Sequence, residues 1–93
     1  MTEIEAVDLI TLEVGSIIKG ESIKVVGREP INRREHIAVI AIVFKHNSDK
    51  ELEVIKKVKD IAIDNPDVEF GGSDVDDKFD LKYSAIIVKI KVK

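Results

Sequence analysis

Residues 36–44 read HIAVIAIVF, and every residue from 37 to 44 is apolar. A half-exposed strand alternates apolar with polar side chains, whereas this one offers no polar face. A strand apolar on both faces belongs in the middle of a sheet, covered on both sides. We therefore take 36–44 as the central strand and read the rest of the chain outward from it.

Upstream, SIKVVGR (22–28) reads as a shorter strand, followed by a polar connection, EPINRRE (29–35). Downstream, Ser48-Asp49-Lys50-Glu51 has the spacing of a capping box and opens a helix. Leu52, Ile55, Val58 and Ile61 form its apolar stripe, Glu53 and Lys57 fall an i, i+4 step apart, and Asn65-Pro66 closes it. A second helix is expected over residues 2–18. Thr2 and Glu5 make its capping box, and Ile4, Val7, Ile10, Val14, Ile17 and Ile18 share one face. Gly20 marks its end, and the competing reading is a strand alternating through Ile10, Leu12 and Val14. Residues 68–70 suggest a brief strand. In 82–92, Ile86, Val88, Ile90 and Val92 lie on one face, with Lys89, Lys91 and Lys93 on the other.

The expected architecture is a single α+β domain over 1–93, a two-layer α/β sandwich in the order α-β-β-α-β-β. Its sheet should be mostly antiparallel, with 36–44 at the centre. Two helices on one face would leave the other face of 37–44 apolar and wet, which a second copy of the chain would cover.

Composition limits the chemistry. The chain has 93 residues and no cysteine, so disulfides, thiolate metal sites and cysteine nucleophiles are excluded. Its core must be aliphatic, since fifteen Ile and twelve Val stand beside three Phe, one Tyr and no Trp. Abundant β-branched residues, 35% charged residues and the lack of Cys, Gln and Trp resemble heat-adapted compositions. No apolar run approaches the roughly 20 residues of a membrane-spanning helix, and no leader opens the chain. A cytoplasmic protein without a membrane partner is the expectation.

Net charge is −3, unevenly spread. The segment DNPDVEFGGSDVDDKFD (64–80) holds seven carboxylates against Lys78 alone. Pro66 and Gly71-Gly72 mark it as a turning loop. Asp67, Glu69, Asp74, Asp76, Asp77 and Asp80 are candidate ligands for Ca²⁺ or Mg²⁺, hard cations that take carboxylate oxygens. An EF-hand is excluded, because Phe79 and Ala85 stand where its glycine and final glutamate belong. A solvated acidic loop is the alternative.

Arg28, Arg33 and Arg34, the only arginines, cluster around the 29–35 connection. Guanidinium forks there suit an anion or an acidic partner, unless Glu29 and Glu35 pair with them. His36 and His46 bracket the central strand. About ten residues at ~3.3 Å each set them roughly 33 Å apart, too far to share a metal or a proton. They read as surface residues at the strand ends.

The serines, among them Ser84, sit in no nucleophile elbow, and no glycine-rich loop suits phosphate. The acidic total and the lack of aromatics among the C-terminal lysines disfavour nucleic acid. These readings point to a non-catalytic interaction domain, self-associating as a homodimer or binding another protein and requiring no cofactor. Divalent-cation binding at 64–80 is the alternative.

Overall fold

The computed structural model describes residues 1–19, 22–78 and 81–93, with the backbone alone at 77, 78 and 81. Its elements follow the expected order: α1 (Glu3–Val14), β1 (Ser22–Pro30), β2 (His36–Lys45), α2 (Ser48–Asp64), β3 (Val68–Lys78) and β4 (Leu81–Val92). The four strands form one antiparallel sheet in the order β1-β2-β4-β3, so β2 and β4 share its centre.

Both helices lie on one side of this sheet. Ala38, Ile40, Ile42 and Phe44 of β2, with Ile86, Val88, Ile90 and Val92 of β4, pack into one core cluster beneath Ala6, Ile10 and Val14 of α1 and Val54 and Val58 of α2. The alternate residues of β2 and β4 therefore face away from the helices. At 20 Å through its thinnest dimension, the body is one helix layer on one sheet. No helix among the described residues is long and apolar enough to cross a membrane.

The capping box on α1 is present: Glu5 N–H donates to Thr2 Oγ1 and Thr2 N–H to Glu5 Oε1, both at 3.2 Å. The helix nevertheless stops at Val14, four residues short of the expected end. Gly15 caps it, and the following turn carries Ile18 into the core. The proposed stop at Gly20 lies outside the described residues. The buried face is also rotated from the expected one. Ala6, Ile10 and Val14 are buried, while Ile4 is 74% exposed. Ala6 has little side chain to keep the backbone off the sheet, and α1 lies beside the edge strand β1. Ile4 consequently overhangs a shallow cleft of about 280 Å³ lined by Val7, Val25 and Arg28.

A similar rotation applies to α2. Val54 and Val58 are fully buried, Ile55 and Ile61 pack partly, and Leu52 is 66% exposed. Its cap is Asn47, not Ser48: Asn47 Oδ1 accepts from the backbone N–H of Asp49 and Lys50, each at 3.1 Å. Glu51 is thereby released from the expected capping box. Asn65 ends the helix as expected.

The largest correction concerns 64–80. The segment is not a loop, because β3 runs continuously from Val68 to Lys78, paired throughout with β4. Gly71-Gly72 forms a bulge within the strand, where the register shifts between Phe70 and Gly72. Gly72 has φ 111°, and a Cβ on Gly71 would lie 2.8 Å from Ile87 Cγ2. A bulge and a turn demand the same backbone freedom of glycine, so the local signal was ambiguous.

The two bulges make a test. At Gly72 a Cβ would be strained by the backbone, so Gly72→Ala should cost about 1–3 kcal/mol in urea denaturation. At Gly27, by the β1 bulge, a Cβ would meet Val39 at an ordinary 3.8 Å. Gly27→Ala should leave stability unchanged or raise it by up to ~1 kcal/mol.

Candidate functional site

The face of the sheet turned away from the helices carries an apolar field. Ile37, Val39, Ala41 and Val43 of β2 lie beside Ala85 and Ile87 of β4, with Tyr83 at one end. Of these, Ala41 is 5% exposed, hemmed in by its larger neighbours, and the rest are partly exposed. Charges rim the field. Lys24 lies on the β1 side, Glu69, Asp74 and Asp76 lie on the β3 side, and Lys89 and Lys91 stand at one end of β4.

That end is held by ion pairs across strands. Lys89 Nζ lies 2.9 Å from Glu29 Oε1, and Lys91 Nζ 3.4 Å from Glu35 Oε2. Glu29 beside it, with Glu69 adding its charge, raises the Lys89 ammonium above its ordinary pKa. Glu29 and Glu35 therefore pair with lysines of β4, not with the arginines beside them in sequence.

The three arginines are not one docking group. Arg28 belongs to β1, opposite Ala38, which places it on the helix side of the sheet. There its guanidinium grips Glu3 of α1, Nε to Oε2 and Nη2 to Oε1, each at 2.8 Å. His36 Nε2 joins the same carboxylate at 2.9 Å. Arg28 first and His36 second hold the Glu3 carboxyl below its ordinary 4.5, and Glu3 in turn raises Arg28. Arg33 and Arg34 are exposed in the 31–35 turn, which Asn32 Oδ1 braces by accepting from the N–H of Arg34 and Glu35.

His46 has a comparable role at the other end of β2. Its Nδ1 lies 2.8 Å from Ser84 Oγ and 3.3 Å from Glu51 Oε2, and Ser84 donates to Glu51 at 3.3 Å. Neither histidine is a bare surface group: His36 is tied to Glu3, 33 residues away in sequence, and His46 to the nearby Glu51. For His46 the distant member is Ser84, on β4. These groupings left no local signal, because the contacts depend on how α1 and β4 are laid beside β2.

A serine, a histidine and a glutamate in contact invite comparison with a nucleophilic triad. The geometry opposes it: Ser84 is 0% exposed, and hydroxyl and carboxylate meet the same imidazole nitrogen. The group fastens the end of β2 and the first turn of α2 to β4.

The acidic candidates are distributed along β3. Glu69, Asp74 and Asp76 stand in register with Lys89, Ala85 and Tyr83, and Asp67 precedes the strand, its carbonyl accepting from Lys91 N–H. Asp77 is opposite Lys82 in the backbone ladder, and Asp80 lies outside the described residues. Side chains two apart on a strand are separated by about 6.8 Å at Cα. The result is a column of carboxylates along a sheet edge, where charge discourages strand addition. Among the described residues, no three acidic or histidine side chains converge as metal ligands.

Two outcomes are expected. In ¹⁵N-amide spectra at physiological salt, Ca²⁺ should move residues 67–76 no further than an equal ionic strength of NaCl. Saturable shifts there would establish cation binding. The depressed Glu3 carboxyl contributes stability that is present above pH 4.5 and is lost as pH falls through its lower folded value. Glu3→Gln should therefore flatten the acid limb of a urea-midpoint against pH curve and leave its neutral-to-acid shape above pH 5 largely parallel to the parent's.

Set against protein-family models, curated proteins and solved structures, the chain has no significant match in any of the three comparisons.

Proposed function

We propose that this chain is a non-catalytic, cytoplasmic interaction domain that works as a homodimer joined through the open face of its sheet. The observation that carries this reading is the apolar field on β2 and β4. A sheet covered by helices on one side ordinarily presents polar alternation on the other. Here the solvent side of the two central strands places Ile37, Val39, Ala41, Val43, Ala85 and Ile87 together.

The size of the face fits a second copy. From the level of Ile37 to that of Lys45 is about 27 Å along the strands, and four strands span about 19 Å. With side-chain relief, that is of the order of the ~800 Å² each partner gives to a standard interface. The sheet edges suit association less well. Carboxylates and a bulge interrupt β3, and β1 has a bulge and Pro30. The lack of catalysis belongs to the same proposal, supported by the complete burial of Ser84 in the chain's Ser-His-Glu grouping.

Light scattering coupled to gel filtration tests it. The parent should elute at twice the chain mass and dissociate on dilution. Val39→Glu, which places a charge in the middle of the field, should be monomeric with an unchanged far-UV circular dichroism spectrum. A parent that is monomeric at every concentration would remove this reading.

A further inference from the structure

The arrangement of side chains on the open face also specifies how two copies would meet, an inference that rests on the homodimer just proposed. Residues in register share a level across the sheet. One level holds Lys24, Ala41, Ile87 and Gly72, and the next holds Ser22, Val43, Ala85 and Asp74. On the other side of the first level come Gly27, Val39, Lys89 and Glu69. Within each of the two levels first named, the central pair couples a large side chain with a small one, and the order reverses from one level to the next.

We infer that two copies pack face to face about a two-fold axis parallel to the strands, with β4 of each protomer over β2 of the other and β3 over β1. This axis keeps every residue at its own level and exchanges the strands. Ile87 then meets the partner's Ala41 and Ala85 meets the partner's Val43, so bulk meets space at both levels, as close packing requires. One level further, Tyr83 meets the partner's Lys45, whose aliphatic stem can lie against the ring. At the opposite end, the stem of Lys89 covers the partner's Val39 while its ammonium stays with Glu29.

Charge favours the same axis. It sets the acidic column of β3 against β1, whose Lys24 falls between the levels of the partner's Glu69 and Asp74. Asp74 keeps one carboxylate oxygen on the Val75 N–H and presents the rest of the group to the rim. Glu29, which faces the same column, is already paired with Lys89. The aligned packing of two sheets turns them by about 30°. That turn moves the inner strands by only ~1–2 Å and the outer ones by ~4 Å, about one residue, given the ~4.8 Å strand spacing. The central pairs survive it, and Lys24 keeps a carboxylate on either side.

A two-fold axis running across the strands fares worse on charge. It stacks β3 on β3, so Glu69 faces Asp74 twice when the axis passes through the level of Ala41, and Asp76 when it passes midway to the level of Val43. In the first position it also sets Ala41 on Ala41 and Ile87 on Ile87, leaving a void beside a clash.

Because the chain has no cysteine, single thiols can report the axis. Ser22, Glu69 and Asp74 are exposed rim positions, so Ser22→Cys, Glu69→Cys and Asp74→Cys should fold as the parent does. Equal mixtures of two variants are allowed to exchange subunits and are then treated with a short bismaleimide. The Ser22→Cys and Asp74→Cys mixture should give a covalent dimer, and the Glu69→Cys and Asp74→Cys mixture should not. The reverse pattern would establish the cross-strand axis and overturn the inference, as would a dimer by light scattering that cross-links in neither mixture. In both cases self-association itself stands. A monomer by light scattering overturns the homodimer and this arrangement together.

Discussion

One layer of two helices can shield only one side of a four-stranded sheet, and β2, at the centre of this sheet, is apolar on both from Ile37 to Phe44. Much of the structure follows from that mismatch. The inner side chains of β2 and β4 are sealed under α1 and α2, and they supply most of the core. Their outer neighbours Ile37, Val39, Ala41, Val43, Ala85 and Ile87 are also aliphatic but have no layer above them. Exposing Ile, Val and Ala side by side forgoes on the order of 25 cal/mol per Å² that burial would return. The fold thus ends with one hydrophobic surface covered and another left open.

Charge organises the margins of that surface. Glu69, Asp74 and Asp76 line β3, an edge strand, while lysines of β4 reach across β2 toward Glu29 and Glu35. Carboxylates on an edge oppose uncontrolled strand addition. A face flanked by acids on one side and a lysine on the other also has a direction, so only some orientations of a partner are electrostatically acceptable. Meanwhile, ion pairs on the helix side are structural. Glu3, Arg28 and His36 clamp the start of α1 to β1 and β2, and His46, Ser84 and Glu51 clamp the start of α2 to β4. Each clamp sits at one end of β2, which makes that strand the spine to which both helices are fastened.

The acidic segment shows how a local signal can point to two structures. Two glycines beside Asp and Ser have the composition of a turn, and Pro66 strengthens that reading. What the backbone needs at a bulge is nevertheless the same freedom, and the difference is whether a partner strand is present on the far side. β4 is that partner, and Ile87 leaves no space for a side chain on Gly71. Once the segment is extended, Glu69, Asp74 and Asp76 are spread along an edge strand.

The amino-acid sequence determined the element order, the two-sided strand at 36–44 and the alternating strand ending in Val92. It also determined the capping of α1 and the end of α2 at Asn65. These depend on periodicity and on interactions within a few residues, so they can be read locally. The helix faces were only partly legible. Hydropathy favours the bulkiest residues, whereas the sheet accepted Ala6 and Val54 and left Ile4 and Leu52 outside. Tertiary structure alone decided that both helices cover the same face and that Glu69, Asp74 and Asp76 form a column. It also decided that Arg28 leaves the other arginines for Glu3. Each of these turns on which strand lies beside which, a choice made by the burial of the whole sheet and not by any segment within it.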